Sequence, residues 1–286
     1  MTAPTGRRGV RRAIVVIPGA FTSGNLFFGI WAIVEAARGD FLRASWFIVV
    51  AAIMDTLDGR VARMSRTGTP FGAEMDSLVD AISFGVAPAM LVFFHTFRGG
   101  EWAWLLCFLY VLAAVLRLAR FNVEQAGHAK SQFFGLPSPA AGVTLATYYP
   151  FTQTAFFQNN LAGLWAWNTA LAVLMVALAL LMVSHVPYPV WPRMGLRSFK
   201  GLVGVVYSIG VVAGGLLVPA LFFFPWGLGY MGYGIGRAVY FGFLERLPDR
   251  DPLRDEDDEN GRPLQGEVAP RLLRFRKGRR RTGGTP

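Results

Sequence analysis

Four aspartates at helical spacing are the residues best placed to do chemistry in this 286-residue chain. They stand in the run D-T-L-D-G-R-V-A-R-M-S-R-T-G-T-P-F-G-A-E-M-D-S-L-V-D, as Asp55, Asp58, Asp76 and Asp80. The first two are three residues apart and the last two four apart, so on helices each pair projects from one face. All four lie at the ends of strongly apolar segments, where a carboxylate is costly and reads as functional by default. Clustered carboxylates repel one another unless cations compensate them, and all-oxygen ligands suit hard divalent ions, Mg²⁺ or Mn²⁺. Two such ions balance four carboxylates in formal charge. Paired metals stabilise both the attacking and the leaving oxygen of an in-line displacement at phosphorus. Gly59, Ala62 and Gly72 leave room between helices for a bulky ligand. Arg63, four residues after Gly59 on the same face, offers a forked donor to a phosphate. Interfacial charges that merely reach for water would explain one aspartate, not four in this pattern.

The elements that must position these residues follow from the segments around them. Ser65-Arg66-Thr67-Gly68-Thr69-Pro70 has the breakers of a turn. The flanking helices then form an antiparallel hairpin whose closed end gathers the carboxylates at one membrane edge. Composition agrees with a membrane setting: 53% of residues are hydrophobic, 16% are charged and the mean hydropathy is +0.39. Residues 161–184 and 201–224 carry no charge at all, and a spanning helix needs about 20 such residues. The expected fold is an all-α polytopic membrane protein of about eight transmembrane helices. The spans fall near 13–35, 41–60, 76–97, 102–122, 137–157, 161–184, 201–223 and 226–244. Pro137, Pro139 and Pro150 interrupt the fifth span, and the eighth is Gly-rich with Arg237, so six or seven crossings are the alternatives.

Basic residues mark one side of this arrangement. Arg7, Arg8, Arg11 and Arg12 precede the first span, and Arg60, Arg63 and Arg66, then Arg117, Arg120 and Lys130, then Arg193, Arg197 and Lys200 fill the second, fourth and sixth gaps between spans, all on one side. The opposite side holds only Arg38, Arg43 and Arg98. The positive-inside rule places both termini and the aspartate cluster at the cytoplasm. The net charge of +10 is explained by topology and by attraction to anionic lipid heads, not by nucleic acid. Residues 1–12 read as a basic arm and 13–244 as one membrane domain. Residues 245–286 read as a polar, disordered cytoplasmic tail with an acidic and then a basic cluster. The arginines before the first apolar run resemble a secretory leader, yet the run continues to Ala37 without a convincing cleavage site, so a retained helix is expected. The single cysteine, Cys107, excludes an internal disulfide and reads as a small buried residue. His95, His128 and His185 have no ligand-like spacing and are assigned no chemistry.

The motif D-x-x-D-G-x-x-A-R-x8-G-x3-D-x3-D, filled by Asp55, Asp58, Gly59, Ala62, Arg63, Gly72, Asp76 and Asp80, resembles the signature of the CDP-alcohol phosphatidyltransferases. Asp76–Pro88 (D-S-L-V-D-A-I-S-F-G-V-A-P), Arg117–Asn122 (R-L-A-R-F-N), Gly135–Ala141 (G-L-P-S-P-A-A), Leu181–Ser184 and Phe21–Leu26 are similar to the phosphatidylserine synthase branch. The likeness covers roughly residues 18–200; the last two spans and the tail have no counterpart in it.

The resemblance implies a transferase that moves the phosphatidyl group from CDP-diacylglycerol to L-serine and releases CMP. It implies two divalent cations on the four aspartates, with Asp80 also the general base. It places Gly59, Ala62, Arg63 and Gly72 around the nucleotide and diphosphate, Asn25 near the CDP moiety, and the enzyme in the plasma membrane as a homodimer. A serine hydroxyl is a weak nucleophile at neutral pH, which suits a nearby carboxylate base. Its carboxylate calls for a cation, for which Arg117 and Arg120 are the candidates, with Ser83, Asn122 and Ser138 as further hydrogen-bonding groups. Arg117 and Arg120 have a second reading as topology anchors, and Ser83 and Ser138 as helix-packing residues. Another alcohol, glycerol 3-phosphate or an inositol phosphate, is the nearest alternative acceptor. An ion transporter is a more distant alternative, since no polar relay continues to the opposite face.

Overall fold

A computed structural model of the chain describes residues 6–65, 70–126, 135–164, 166–186, 188 and 199–244. The described residues are all-helical, with no strand among them. Of the expected segments, residues 66–69 of the turn, His128 and Lys130, Arg193 and Arg197, and the tail 245–286 lie outside the described residues.

Two long helices open the chain, α1 (Gly6–Arg38) and α2 (Phe41–Ser65). The turn between them is closed by local chemistry. Gly39 adopts φ of 87°, a left-handed conformation that costs glycine nothing. Its N–H donates to Ala36 O at 3.1 Å and the Asp40 N–H to Glu35 O at 3.0 Å, the paired bonds of a Schellman ending. Asp40 then caps α2, its Oδ1 accepting from Arg43 N at 3.1 Å. Helices leaving so short a turn must run antiparallel. Thr22 and Asp58 therefore meet, each about 18 residues from the turn, or roughly 27 Å along the axes.

The next helical stretch runs without a break from residue 70 to 97, but its winding changes. It comprises α3 (Pro70–Asp80), a π-helical segment (Ala81–Val86), α4 (Ala87–Val92) and a second π segment (Phe93–Phe97). Pro88 gives the physical reason for the first wide turn. Proline has no N–H to offer the carbonyl four residues back, which here is Phe84 O. The Tyr110 hydroxyl donates to that carbonyl instead, at 3.2 Å, while Ala87 N–H donates to Ile82 O in the π pattern. Tyr110 comes from α5 (Ala103–Ala126) and is fully buried.

Beyond α5 the chain forms α6 (Ser138–Ala146), α7 (Tyr148–Thr152), α8 (Ala155–Asn160), α9 (Trp167–Val183), α10 (Phe199–Leu217) and α11 (Pro219–Leu244). The expected fifth span is thus three short helices rather than one. Pro150 cannot donate to Ala146 O, and the chain then turns extended at Thr154, whose hydroxyl caps α8 by accepting from Phe157 N at 3.3 Å. Among the described residues, three stretches are long and apolar enough to cross a membrane: Gly19–Arg38, Phe71–Phe97 and Ala103–Val123, with Trp167–Val183 and Gly204–Leu217 as shorter apolar helices. With them the chain is a membrane protein. Helix α2 is long enough but carries Arg43, Asp55, Asp58 and Arg60.

Two clusters fill the interior. One, between α1, α2, the first π segment and α4, is built from Ala32, Ala36, Ala44, Ile48, Ala51, Phe84 and Ala87 among others. The other lies chiefly between α5, α6 and α9, around Tyr110, Leu171, Met175, Leu178 and Met182.

Candidate active site

Asp55 and Asp58 lie on the third-to-last turns of α2, and Asp76 and Asp80 on the last turns of α3. Asp55, Asp76 and Asp80 each bring a carboxylate oxygen to within 4.8 Å of the other two. Two oxygens on one hard cation stand at most twice the bond length apart, about 4.2 Å for Mg²⁺ and about 5 Å for Ca²⁺, so a small inward turn of these side chains would bring all three onto a single divalent ion. Asp76 Oδ1 is buried and, among the described residues, has no hydrogen-bond donor. A carboxylate oxygen left so is expensive in an apolar protein and is what a cation would satisfy. Asp58 is outside this trio. It is 7% exposed, its Oδ2 accepts from the Thr22 hydroxyl, and it is near enough to Asp76 for the two charges to repel.

Asp80 is the most enclosed of the trio, at 8% exposure. Asn25, fully buried on α1, donates from Nδ2 to Asp80 Oδ1 at 3.2 Å. Ser83, one turn later in the π segment, donates from Oγ to the Asn25 main-chain carbonyl at 3.2 Å. Ser83 reaches α1 because residue 29 is glycine: a Cβ there would stand 3.0 Å from Ser83 Cα and overlap the hydroxyl. Gly142 on α6 does the same on the other flank, where a Cβ would stand 2.9 Å from Phe84 Cα. The π segment is held between two glycine contacts, directly after Asp80.

The arginines separate. Arg117 is half-buried on α5, donates from Nη1 to Ser138 Oγ at 2.9 Å, lies 5.3 Å from the centre of the Phe121 ring, and is close enough to attract the charge of Asp80. Ser138 is fully buried at the start of α6. Arg120, on the next turn, reaches the end of α9, with Nη1 3.5 Å from Val183 O. Asn122 joins α5 to α3: its Oδ1 accepts from Ser77 Oγ at 2.9 Å and its Nδ2 donates to Glu74 Oε2 at 3.2 Å. Gly59 and Gly72 are half-buried on α2 and α3. Ala62 and Arg63 belong to α2, but their side chains lie outside the described residues. The sequence alone did not mark Thr22 as a partner of the aspartates, although it lies within the Phe21–Leu26 run and three residues before Asn25 on one helix face.

Comparison with known proteins fits this arrangement. The family model for CDP-alcohol phosphatidyltransferase matches residues 15–199, which include every one of these groups. This chain belongs to that family. A CDP-diacylglycerol–serine O-phosphatidyltransferase of Helicobacter pylori is 35% identical over 179 residues, 62% of this chain and 73% of that protein. One from Mycobacterium tuberculosis is 35% identical over 189 residues, 64% of each chain. An archaetidylserine synthase of Methanothermobacter thermautotrophicus is 35% identical over 190 residues, 65% of this chain and 75% of that protein.

Proposed function

We propose that this chain transfers the phosphatidyl group of CDP-diacylglycerol to L-serine, giving phosphatidylserine and CMP. The buried Asp80 beside two further carboxylates carries the reading, together with relatives named for the serine reaction at 35% identity. In this reading Asp55, Asp58, Asp76 and Asp80 hold two divalent cations, Mg²⁺ or Mn²⁺. When bound, they neutralise the diphosphate and the charge that develops on the leaving CMP. Asp80 accepts the proton of the serine hydroxyl. The freed oxygen forms a bond to the phosphorus that carries diacylglycerol, and the bond from that phosphorus to the CMP oxygen breaks. Gly59, Ala62, Arg63 and Gly72 line the nucleotide and diphosphate side.

Arg117 is the better placed of the two arginines to hold the serine carboxylate, since it lies toward Asp80 and is steadied by Ser138. Arg120 and Asn122 brace α5 against α9 and α3. Ser83 supports Asn25 from below. The protein spans the plasma membrane about eight times with both termini in the cytoplasm, acts as a homodimer, and takes its lipid substrate sideways from the bilayer. The polar tail from residue 245 is a separate cytoplasmic segment.

CMP release by the purified protein in detergent tests the reading, with CDP-diacylglycerol, Mg²⁺ or Mn²⁺, and L-serine, glycerol 3-phosphate or inositol phosphate in separate reactions. Release that requires both metal and L-serine is expected. Release with a phosphorylated alcohol instead would overturn the acceptor and leave the aspartate chemistry standing. Folded protein that releases no CMP with any of these alcohols would overturn the reading altogether.

A further inference from the structure

Helix α1 turns two polar side chains onto two different carboxylates. Thr22 and Asn25 are three residues apart, on one face of the helix, and are 5% and 0% exposed. Thr22 Oγ1 donates to Asp58 Oδ2, and Asn25 Nδ2 donates to Asp80 Oδ1 at 3.2 Å. The Asn25 position is itself fixed, through its main-chain carbonyl, by Ser83 Oγ at 3.2 Å. The close approach at Gly29 makes that bond possible. A threonine hydroxyl and an asparagine amide sealed into an apolar helix are costly unless their partners are specific. Here the partner in both cases is a carboxylate of the same site.

A carboxylate has two oxygens and turns about two side-chain bonds. A donor fixed on one oxygen sets the plane of the group and leaves the other oxygen for a cation or a proton. It also opposes the mutual repulsion that would swing neighbouring aspartates apart when the site holds no cation. Neutral donors suit this role, because a lysine or arginine in the same place would compete with the cation for the carboxylate. We propose that Thr22 and Asn25 are positioning residues, Thr22 for Asp58 and Asn25 for Asp80, so that α1 acts on the reaction through the aspartates rather than by touching the nucleotide. The proposal rests on the reading of the aspartates as metal and base residues.

The experiment uses full-length protein in detergent and reads two things. Binding of Mn²⁺ alone, followed by the electron paramagnetic resonance signal of the free ion, needs no substrate; steady-state CMP release then separates kcat from each KM. Thr22→Val, which keeps the shape and removes the hydroxyl, is expected to weaken Mn²⁺ binding about 10- to 100-fold, the usual range for groups that orient metal ligands. Thr22→Ser, which keeps the hydroxyl, is expected to restore it. Asn25→Leu is expected to lower kcat about 10- to 100-fold with the serine KM unchanged. If Asn25→Leu does not fold, Asn25→Ser, whose side chain is too short to reach Asp80, replaces it with the same expectation. Wild-type Mn²⁺ binding in Thr22→Val together with wild-type kcat in the Asn25 variant would overturn the proposal. So would a raised KM for CDP-diacylglycerol at Asn25 with kcat intact, which would make Asn25 a nucleotide contact. Unaltered protein that neither binds Mn²⁺ nor releases CMP would overturn the metal reading itself, and this proposal with it.

Discussion

The half of the molecule built on α1, α2 and the first π segment is packed differently from the half built on α5 and α9. In the first half, six of the nine buried apolar residues are alanine, and glycines at 29 and 142 let backbones nearly touch. That half also buries Thr22, Asn25, Glu35, Ser45, Asp58, Asp80 and Ser83. In the second half, Tyr110, Leu171, Met175, Leu178 and Met182 interdigitate, and among the described residues neither α5 nor α9 buries a charged side chain. The difference has a physical basis. Helices in lipid gain little from the hydrophobic effect, and are held by close packing of small residues, by hydrogen bonds and by fitted side chains. The first half uses the first two means because it must hold acids in fixed relation. The second uses the third because its interior has no acids to hold apart.

Removing one acid should separate the halves most clearly. Asp80→Asn is expected to lower turnover by about 10²- to 10⁴-fold, the span of general-base catalysis. In protein stripped of metal it should raise the thermal unfolding midpoint or leave it unchanged, because a buried like charge has been removed from the trio. The measurements are CMP release and unfolding in the presence of chelator. A fall in that midpoint would mean that Asp80 serves the fold rather than the chemistry. Leu178→Ala should do the reverse. A large-to-small change at a fully buried site costs about 2–5 kcal/mol, seen as a lower midpoint, while turnover per folded molecule stays near the original. Turnover falling in step with stability would erase the distinction between the halves.

Close packing around the π segment predicts a smaller effect, of about 1–3 kcal/mol for overpacking. Gly29→Ala places a methyl against Ser83, which must push α1 from the segment and loosen Asn25 from Asp80. Turnover should drop about tenfold for each 1.4 kcal/mol of lost transition-state stabilisation. Adding Ser83→Gly removes the hydroxyl and Cβ that the methyl meets, leaving only the contact with Cα, and should recover part of it, although the Ser83–Asn25 bond is gone. No recovery in the double variant would show that the Ser83 hydroxyl, not the spacing, matters.

Much of this was legible in the sequence because it rests on local rules. The four aspartates and the apolar helices follow from spacing and hydropathy. The hairpin legible there is that of α2 with α3; the turn at Gly39 and Asp40, which pairs α1 with α2, is not. What was not legible depends on which helix faces which. Thr22 in an apolar helix reads as packing until α2 is laid beside it. Only the register of α1 against the π segment brings the Asn25 amide to Asp80. The Asn122 amide lies between Ser77 and Glu74, a contact that spacing within α5 does not reveal. The run from Asp80 to Val92 has no feature of a wide turn except Pro88, whose missing donor matters only once Tyr110 is seen to replace it.

Tyr110 is also where the two halves meet, and it sharpens the comparison at the lowest energy. Its ring belongs to the α5–α9 cluster, while its hydroxyl serves the Phe84 carbonyl of the π segment. Tyr110→Phe leaves the ring packing in place and strands that carbonyl, at a cost of about 1–3 kcal/mol. Pro88→Ala supplies an N–H that can reach the same carbonyl. The cost of losing the hydroxyl should therefore be smaller in the Pro88→Ala background than in the original protein, a non-additivity that unfolding midpoints of the four proteins in a double-mutant cycle will read. Additive costs would mean that Tyr110 and Pro88 do not share Phe84 O, and the wide turn would need another cause. If the coupling is present, turnover decides what the turn is for. Pro88→Ala permits ordinary α-winding after Asp80, which rotates the residues on either side of the segment relative to each other. A stable Pro88→Ala protein with reduced kcat would show that the wide turn is kept to aim Asp80 at its partners on α1; one with unchanged kcat would make it a consequence of the proline alone.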